Sequence, residues 1–217
     1  MTARVLVVDD HPLIVDGLRA ALATDPALDV VGAAGSLASA RAAIEALRPD
    51  VVLLDLRLPD GSGTELLAES QRDRDAPAFI VLSTFLTTQY TNAAIALGAS
   101  GFLLKTAPAE EIRAAIATVV GGGIAFSGDQ LRESRRAGWT PLTAREHELV
   151  AAVMAARSND EIARQLGVST KTVEGLLSRL YERFAVQTRT ELAVLAEREH
   201  WLDLPVVRTG RARQTRS

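Results

Sequence analysis

Four apolar runs in the first half of the chain each end in a residue that carries chemistry, and this layout leaves few folds open. VLVVDD ends in Asp9 and Asp10, VVLLD in Asp55, FIVLS in Ser83 and GFLLK in Lys105. The runs are short, rich in Val, Leu and Ile, and do not alternate with polar residues, which is the pattern of strands buried on both faces of a parallel sheet. Parallel strands need crossovers. Helical patterns near 12–23, 37–47, 64–72, 88–97 and 108–121 alternate with strand signals near 4–9, 29–34, 51–55, 78–83 and 101–104. Turn residues mark the joints: Asp25-Pro26, Pro49-Asp50, Asp60-Gly61 and Gly98. The fold class that follows is α/β, a doubly wound five-stranded parallel sheet with helices on both faces.

In such sheets the functional crevice lies outside the carboxyl ends of the strands. Asp9, Asp10 and Asp55 should therefore meet Ser83 and Lys105 at one edge, although they are far apart in sequence. Three carboxylates repel one another unless a hard cation neutralises them, and oxygen ligands of this kind suit Mg²⁺. A carboxylate is also a poor nucleophile towards an anionic phosphoryl donor. A metal ion and the Lys105 ammonium remove that repulsion and stabilise charge on the equatorial oxygens. The layout reads as a metal-assisted phosphoryl acceptor.

The chain has no cysteine, which excludes thiol catalysis, disulfides and Cys-based zinc sites. Its histidines, His11, His147 and His200, lack metal-ligand spacing. The start, MTARVLVVDD, enters a strand at once, and no run approaches the roughly 20 apolar residues of a membrane span. A cytoplasmic protein without a membrane partner is expected. Charge is uneven. Residues 1–124 hold 9 Lys/Arg against 15 Asp/Glu, whereas the tail 205–217 holds four Arg and no acid.

After Gly121-Gly122-Gly123 the character changes. Residues 125–139 read as a polar linker with a short helix near 128–136. Beyond them four helical patterns follow, near 143–156, 159–166, 170–184 and 188–199, with Thr143/Glu146 and Ser158/Glu161 as capping boxes and Ser169 as an N-cap. Two helices joined by Leu166-Gly167-Val168-Ser169 read as a helix-turn-helix within an all-α four-helix domain.

Residues 1–124 resemble a response-regulator receiver domain, on the strength of Asp9-Asp10, Asp55 with Leu58-Pro59, Ser83, Phe102 and Lys105. Residues 140–204 are similar to the LuxR-type helix-turn-helix domain of the NarL/FixJ class, in Leu142-Thr143, Arg145-Glu146, Ser158 to Ala163, Lys171-Thr172-Val173 and Arg189 to Leu192. The resemblance implies a flavodoxin-like receiver whose Asp55 accepts a phosphoryl group from a histidine kinase. Mg²⁺ would be held by Asp9 or Asp10, Asp55 and the backbone carbonyl of Arg57, with Lys105 and Ser83 on the phosphoryl oxygens and Phe102 as a switch. Thr84 and Phe85 follow Ser83, where small and polar residues are frequent in the family, and their bulk would bear on the lifetime of the phosphorylated state. No second, independent enzyme site is expected.

The second helix of such a motif enters the major groove of double-stranded DNA. Candidates to meet base edges are Thr170, Lys171, Glu174, Gly175 and Ser178, with Lys171, Ser178, Arg179 and Arg183 reaching phosphates. Glu174 stands where the family often has a lysine, and it repels phosphate. The expected domains are a receiver (1–124), a linker (125–139), a DNA-binding domain (140–204) and a basic disordered tail (205–217). The expected function is a transcription regulator that binds DNA as a homodimer when phosphorylated. The alternative is a phosphorylation-dependent protein-interaction regulator without sequence-specific DNA binding.

Overall fold

The computed structural model describes residues 2–71, 73, 75–84, 87–137 and 141–204. Phe85 and the tail 205–217 lie outside the described residues. The chain divides into two compact units, Met1–Trp139 and Thr140–Ser217.

In the first unit the strands β1 (Ala3–Val8), β2 (Leu28–Ala34), β3 (Val51–Asp55), β6 (Ala78–Ser83) and β7 (Gly101–Leu104) form one sheet in the order β2-β1-β3-β6-β7. Every pairing in it is parallel. Val5, Leu6, Val7, Val8, Val51, Val52, Leu53, Leu54, Ile80 and Val81 are fully buried, so the continuous apolar runs are explained by burial on both faces. Each such side chain contributes about 1.5–3 kcal/mol of burial. Alternation sends Val5, Val7, Leu53 and Ile80 to the face covered by α1 (Pro12–Leu22) and α5 (Ala109–Val120). The helices α2 (Leu37–Leu47), α3 (Thr64–Ser70) and α4 (Thr88–Ala96) complete the crossovers. The strand and helix ranges expected from the sequence stand.

Between β3 and α3 the chain makes a hairpin of two short strands, β4 (Arg57–Leu58) and β5 (Gly61–Ser62), turning at Pro59-Asp60. Gly63 closes it by donating from its amide to the Leu56 carbonyl at 2.8 Å. A side chain at Gly63 has no room: its Cβ would overlap the Asp55 carbonyl oxygen and lie 3.1 Å from Leu56 Cα. Gly63→Ala is therefore expected to cost roughly 1–3 kcal/mol as backbone shifts at the end of β3. Urea denaturation of the wild type and the variant checks this.

The segment read as a linker begins as part of the sheet. Ala125 forms a parallel bridge to Gly101. Its carbonyl accepts from Phe102 N at 3.1 Å and its amide donates to Ser100 O at 2.7 Å. Helix α6 (Gly128–Ala137) then packs on α4, with Thr88 Oγ1 donating to Glu133 Oε1 at 3.1 Å and Gln130 Nε2 to the Phe102 carbonyl at 3.3 Å. The short helix expected near 128–136 forms, and backbone pairing at Ala125 with the three-residue spacing of Gln130 and Glu133 ties this segment to the first unit.

The second unit holds α7 (Ala144–Met154), α8 (Asn159–Leu166), α9 (Thr170–Phe184), α10 (Arg189–Arg198) and a 3₁₀ turn (Trp201–Asp203). Both capping boxes form, and Ser169 accepts from Thr172 N as the cap of α9. Gly167 ends α8 in the left-handed region, φ 66°, which turns the chain sharply into α9. Leu149, Val150, Ile162, Val173, Leu180, Leu192 and Ala196 are fully buried in its core, and Trp201 packs on Phe184 with ring centroids 4.0 Å apart.

Candidate functional site

The sheet brings Asp9, Asp10, Asp55 and Lys105 together at the carboxyl ends of β1, β3 and β7, with Ser83 ending the intervening β6 and Phe102 lying within β7. Lys105 Nζ lies 2.7 Å from Asp55 Oδ2 and 2.6 Å from Asp9 Oδ2. All three side chains are more than nine-tenths buried. The contact to Asp55 is a hydrogen bond, whereas Asp9 Oδ2 has no aligned hydrogen-bond donor. Burial pushes the Asp55 carboxyl above its usual range, against the hydrogen bond and charge of Lys105, which pull it down. The Lys105 amide donates to the Ser83 carbonyl at 2.8 Å, which aligns the ends of β6 and β7. Ser83 is buried, and Phe102, on β7, is 1% exposed.

Asp10 is the exposed member of the acidic pair, and His11 joins it. The His11 amide donates to Asp9 Oδ1 at 2.9 Å, and its Nδ1 lies 2.7 Å from Asp10 Oδ1 and 3.1 Å from Asp9 Oδ1. Ligand atoms of Asp9, Asp10, His11 and Asp55 lie within 4.8 Å of one another. The Arg57 amide donates to Asp55 Oδ1 at 3.3 Å, which places the start of the hairpin beside the carboxylate. Three converging carboxylates with one buried ammonium, that of Lys105, among them fit a hard divalent cation such as Mg²⁺.

In the second unit α9 presents Lys171, Glu174, Ser178 and Arg179 to solvent. Gly175 has open space around it. Thr170 is half-buried and donates to Asp160 Oδ1 at 2.8 Å, while Ser178 Oγ bonds back to the Glu174 carbonyl. Arg183, expected at phosphates, is held by neighbours within its own unit. Its Nη1 sits 3.3 Å from the Glu146 carboxylate, its Nη2 donates to Pro141 O at 3.0 Å, and its guanidinium lies 4.8 Å from the Phe184 ring. Glu146 is fixed by its capping box, so a preformed anion holds the arginine inward. Arg189 likewise bonds Asn159 and the Arg157 carbonyl, fastening α10 to the start of α8.

A buried carboxylate–lysine cluster at the edge of a parallel sheet, followed by a helix-turn-helix unit, defines a two-domain signalling regulator. The model of the response regulator receiver domain matches residues 5–117, and that of the luxR family of bacterial regulatory proteins matches residues 140–196. The chain is 35% identical over 193 residues to the transcriptional regulatory protein MctR of Rhizobium johnstonii, covering 87% of this chain and 90% of that protein. It is 34% identical over 208 residues to the DNA-binding transcriptional activator DevR/DosR of Mycobacterium tuberculosis, covering 89% and 93%. A solved structure of the Salmonella typhimurium RcsB response regulator shares the fold, with a TM-score of 0.66, 22% identity and coverage of 90% of this chain and 100% of that one. The chain belongs to the two-component response regulators that join a receiver domain to a LuxR-type DNA-binding domain.

His11 is a ligand-bearing side chain beside the cluster that strand ends alone do not pick out, although it directly follows the acidic pair and precedes the helix-starting Pro12.

Proposed function

We propose that Asp55 accepts a phosphoryl group from a histidine kinase and that this modification governs homodimerisation and binding of double-stranded DNA through α9. The observation that carries the reading is the Lys105 ammonium clamped between the buried carboxylates of Asp9 and Asp55. An Asp55 oxygen attacks phosphorus, the P–N bond of the phosphohistidine breaks, and the departing imidazole nitrogen takes a proton from solvent. Lys105 turns from the carboxylates to a phosphoryl oxygen, and the Ser83 hydroxyl donates to another. Phe102 then fills the space that Ser83 leaves, giving a two-state element biased by one modification. Asp9 or Asp10, Asp55 and the Arg57 carbonyl would hold Mg²⁺, which would supply positive charge against the carboxylates and the phosphoryl group.

On DNA, Lys171, Ser178, Arg179 and Arg183 meet phosphates, and Thr170, Lys171, Glu174, Gly175 and Ser178 lie towards base edges. Two copies read two half-sites. The test is capture of genomic fragments by protein loaded with Mg²⁺ and beryllofluoride, a mimic of the aspartyl phosphate. A few palindromic sites, with affinity falling steeply as salt rises, are expected. Exposed Glu174 favours the second reading, a protein-interaction regulator. No captured fragment at low salt, with beryllofluoride bound, would select it.

A further inference from the structure

The first turn of α2 has amides that its own cap does not reach. Ser36 is the N-cap, and its hydroxyl accepts from Ser39 N. The amides of Leu37 and Ala38 point instead at a carboxylate from a distant loop. Leu37 N donates to Asp60 Oδ1 at 2.7 Å and Ala38 N to Asp60 Oδ2 at 3.0 Å. One carboxylate therefore satisfies two of the free donors at a helix N-terminus, where a negative charge is also favoured. The two amides hold the Asp60 carboxyl below its usual range.

Asp60 sits at the turn of the β4–β5 hairpin, and that hairpin carries Arg57. Arg57 pairs with Ser62 and Leu58 with Gly61, so a pull at the turn is transmitted to Arg57 over one pair of strands. Downstream, the Gly63 backbone lies against the Asp55 carbonyl, so the hairpin returns to the strand end it left. On the other side of the anchor, Gly35, directly before the α2 cap, approaches the acidic pair. A Cβ there would lie 3.7 Å from Asp10 Cα and 3.8 Å from the Asp9 carbonyl oxygen. Asp60 thus ties the hairpin that starts beside Asp55 to a loop packed on Asp9-Asp10.

We infer that Asp60 is a positioning residue for cation binding and phosphorylation at Asp55, acting through the hairpin and not by contact with the cation. The inference rests on the proposed role of the Asp9, Asp10, Asp55 and Arg57 group. Groups bonded directly to a metal ligand typically alter metal affinity by about 10–100-fold when removed, and Asp60, acting through the hairpin, belongs at the low end of that range. Asp60→Ala is accordingly expected to raise the Mg²⁺ concentration for half-maximal phosphorylation by acetyl phosphate roughly tenfold. The rate at saturating Mg²⁺ should stay within about threefold, because Asp55 and Lys105 are untouched. Asp60→Asn, which keeps one acceptor for the α2 amides, should recover most of the loss.

The control is Ser36→Ala, which removes the other cap of the same helix without touching the hairpin. Mn²⁺ binding followed by electron paramagnetic resonance on the full-length proteins gives a readout that needs no phosphorylation. Weaker Mn²⁺ binding in Asp60→Ala but not in Ser36→Ala supports the inference. Equal weakening in both, or none in either, overturns it by reducing Asp60 to a helix cap. Normal Mn²⁺ behaviour of this kind with no acetyl-phosphate labelling of the wild type would reject Asp55 as acceptor while leaving the Asp60 result intact.

Discussion

Asp55→Asn protein given acetyl phosphate and Mg²⁺ is expected to incorporate no phosphoryl group, and to melt at a higher temperature than the wild type at neutral pH without Mg²⁺. The first effect is the loss of the nucleophilic oxygen. The second follows from burial, which holds the native Asp55 carboxyl above the ordinary carboxylate range despite Lys105. A raised native pKa means that the folded state binds the proton more readily than the unfolded one. Stability is then lost as pH climbs from the unfolded value, about 3.9, through the native one, and the loss persists above it. Asparagine carries no such cost. The stabilisation should be present at pH 7.5 and much smaller at about pH 3, where the carboxyl is mostly protonated in the folded and the unfolded chain alike. A gain of ~1 kcal/mol would appear as about 2–4 °C in a chain of this size. Phosphate-affinity gels and melts at the two pH values measure both effects. Labelling of the variant would place the acceptor elsewhere. A lower melting temperature at pH 7.5 would mean that the Lys105 pair outweighs burial.

Leu180→Ala should have the largest effect on the second unit. Leu180 is fully buried on α9, in a core that joins α9 to α7, α8 and α10. Truncating a buried leucine costs about 2–5 kcal/mol, through lost transfer energy and the cavity left behind. A unit of this size has a total stability of only about 3–10 kcal/mol. The substitution should therefore unfold much of the α9 population and abolish retention on DNA. Labelling at Asp55 should persist, because the receiver core shares none of these side chains. Calorimetry resolves this as loss or downshift of one transition with the other unchanged. Loss of phosphorylation together with DNA binding would show that the two units fold as one.

Much of this architecture is legible from residue order. Runs such as VVLLD declare doubly buried strands, and their terminal residues must then share one edge, which is how Asp9, Asp55, Ser83 and Lys105 come together. The caps at Thr143, Ser158 and Ser169 are local and were equally readable. What escaped depends on contacts remote in sequence. Asp60 finds amides at Leu37 and Ala38, and Arg183 finds Glu146 and Pro141, with no periodicity to announce either. Arg183 shows the limit most plainly, since the carboxylate it meets lies 37 residues away in sequence. Ala125 is a further case, since one small residue after a glycine triplet gives no strand signal of its own.

That single bridge has a bearing on solubility. β7 is the last strand of the sheet, and without Ala125 its outer backbone groups would offer a template for another chain. The segment after α5 takes that place, saturating the Phe102 amide and the Ser100 carbonyl. Gly101 lets it come close, since a Cβ there would lie 2.9 Å from that of Ala125. Natural sheets guard such borders because exposed ones recruit strands from neighbouring molecules. Here the guard is the chain's own continuation, and the backbone groups it pairs on this border are withheld from strand addition by another molecule.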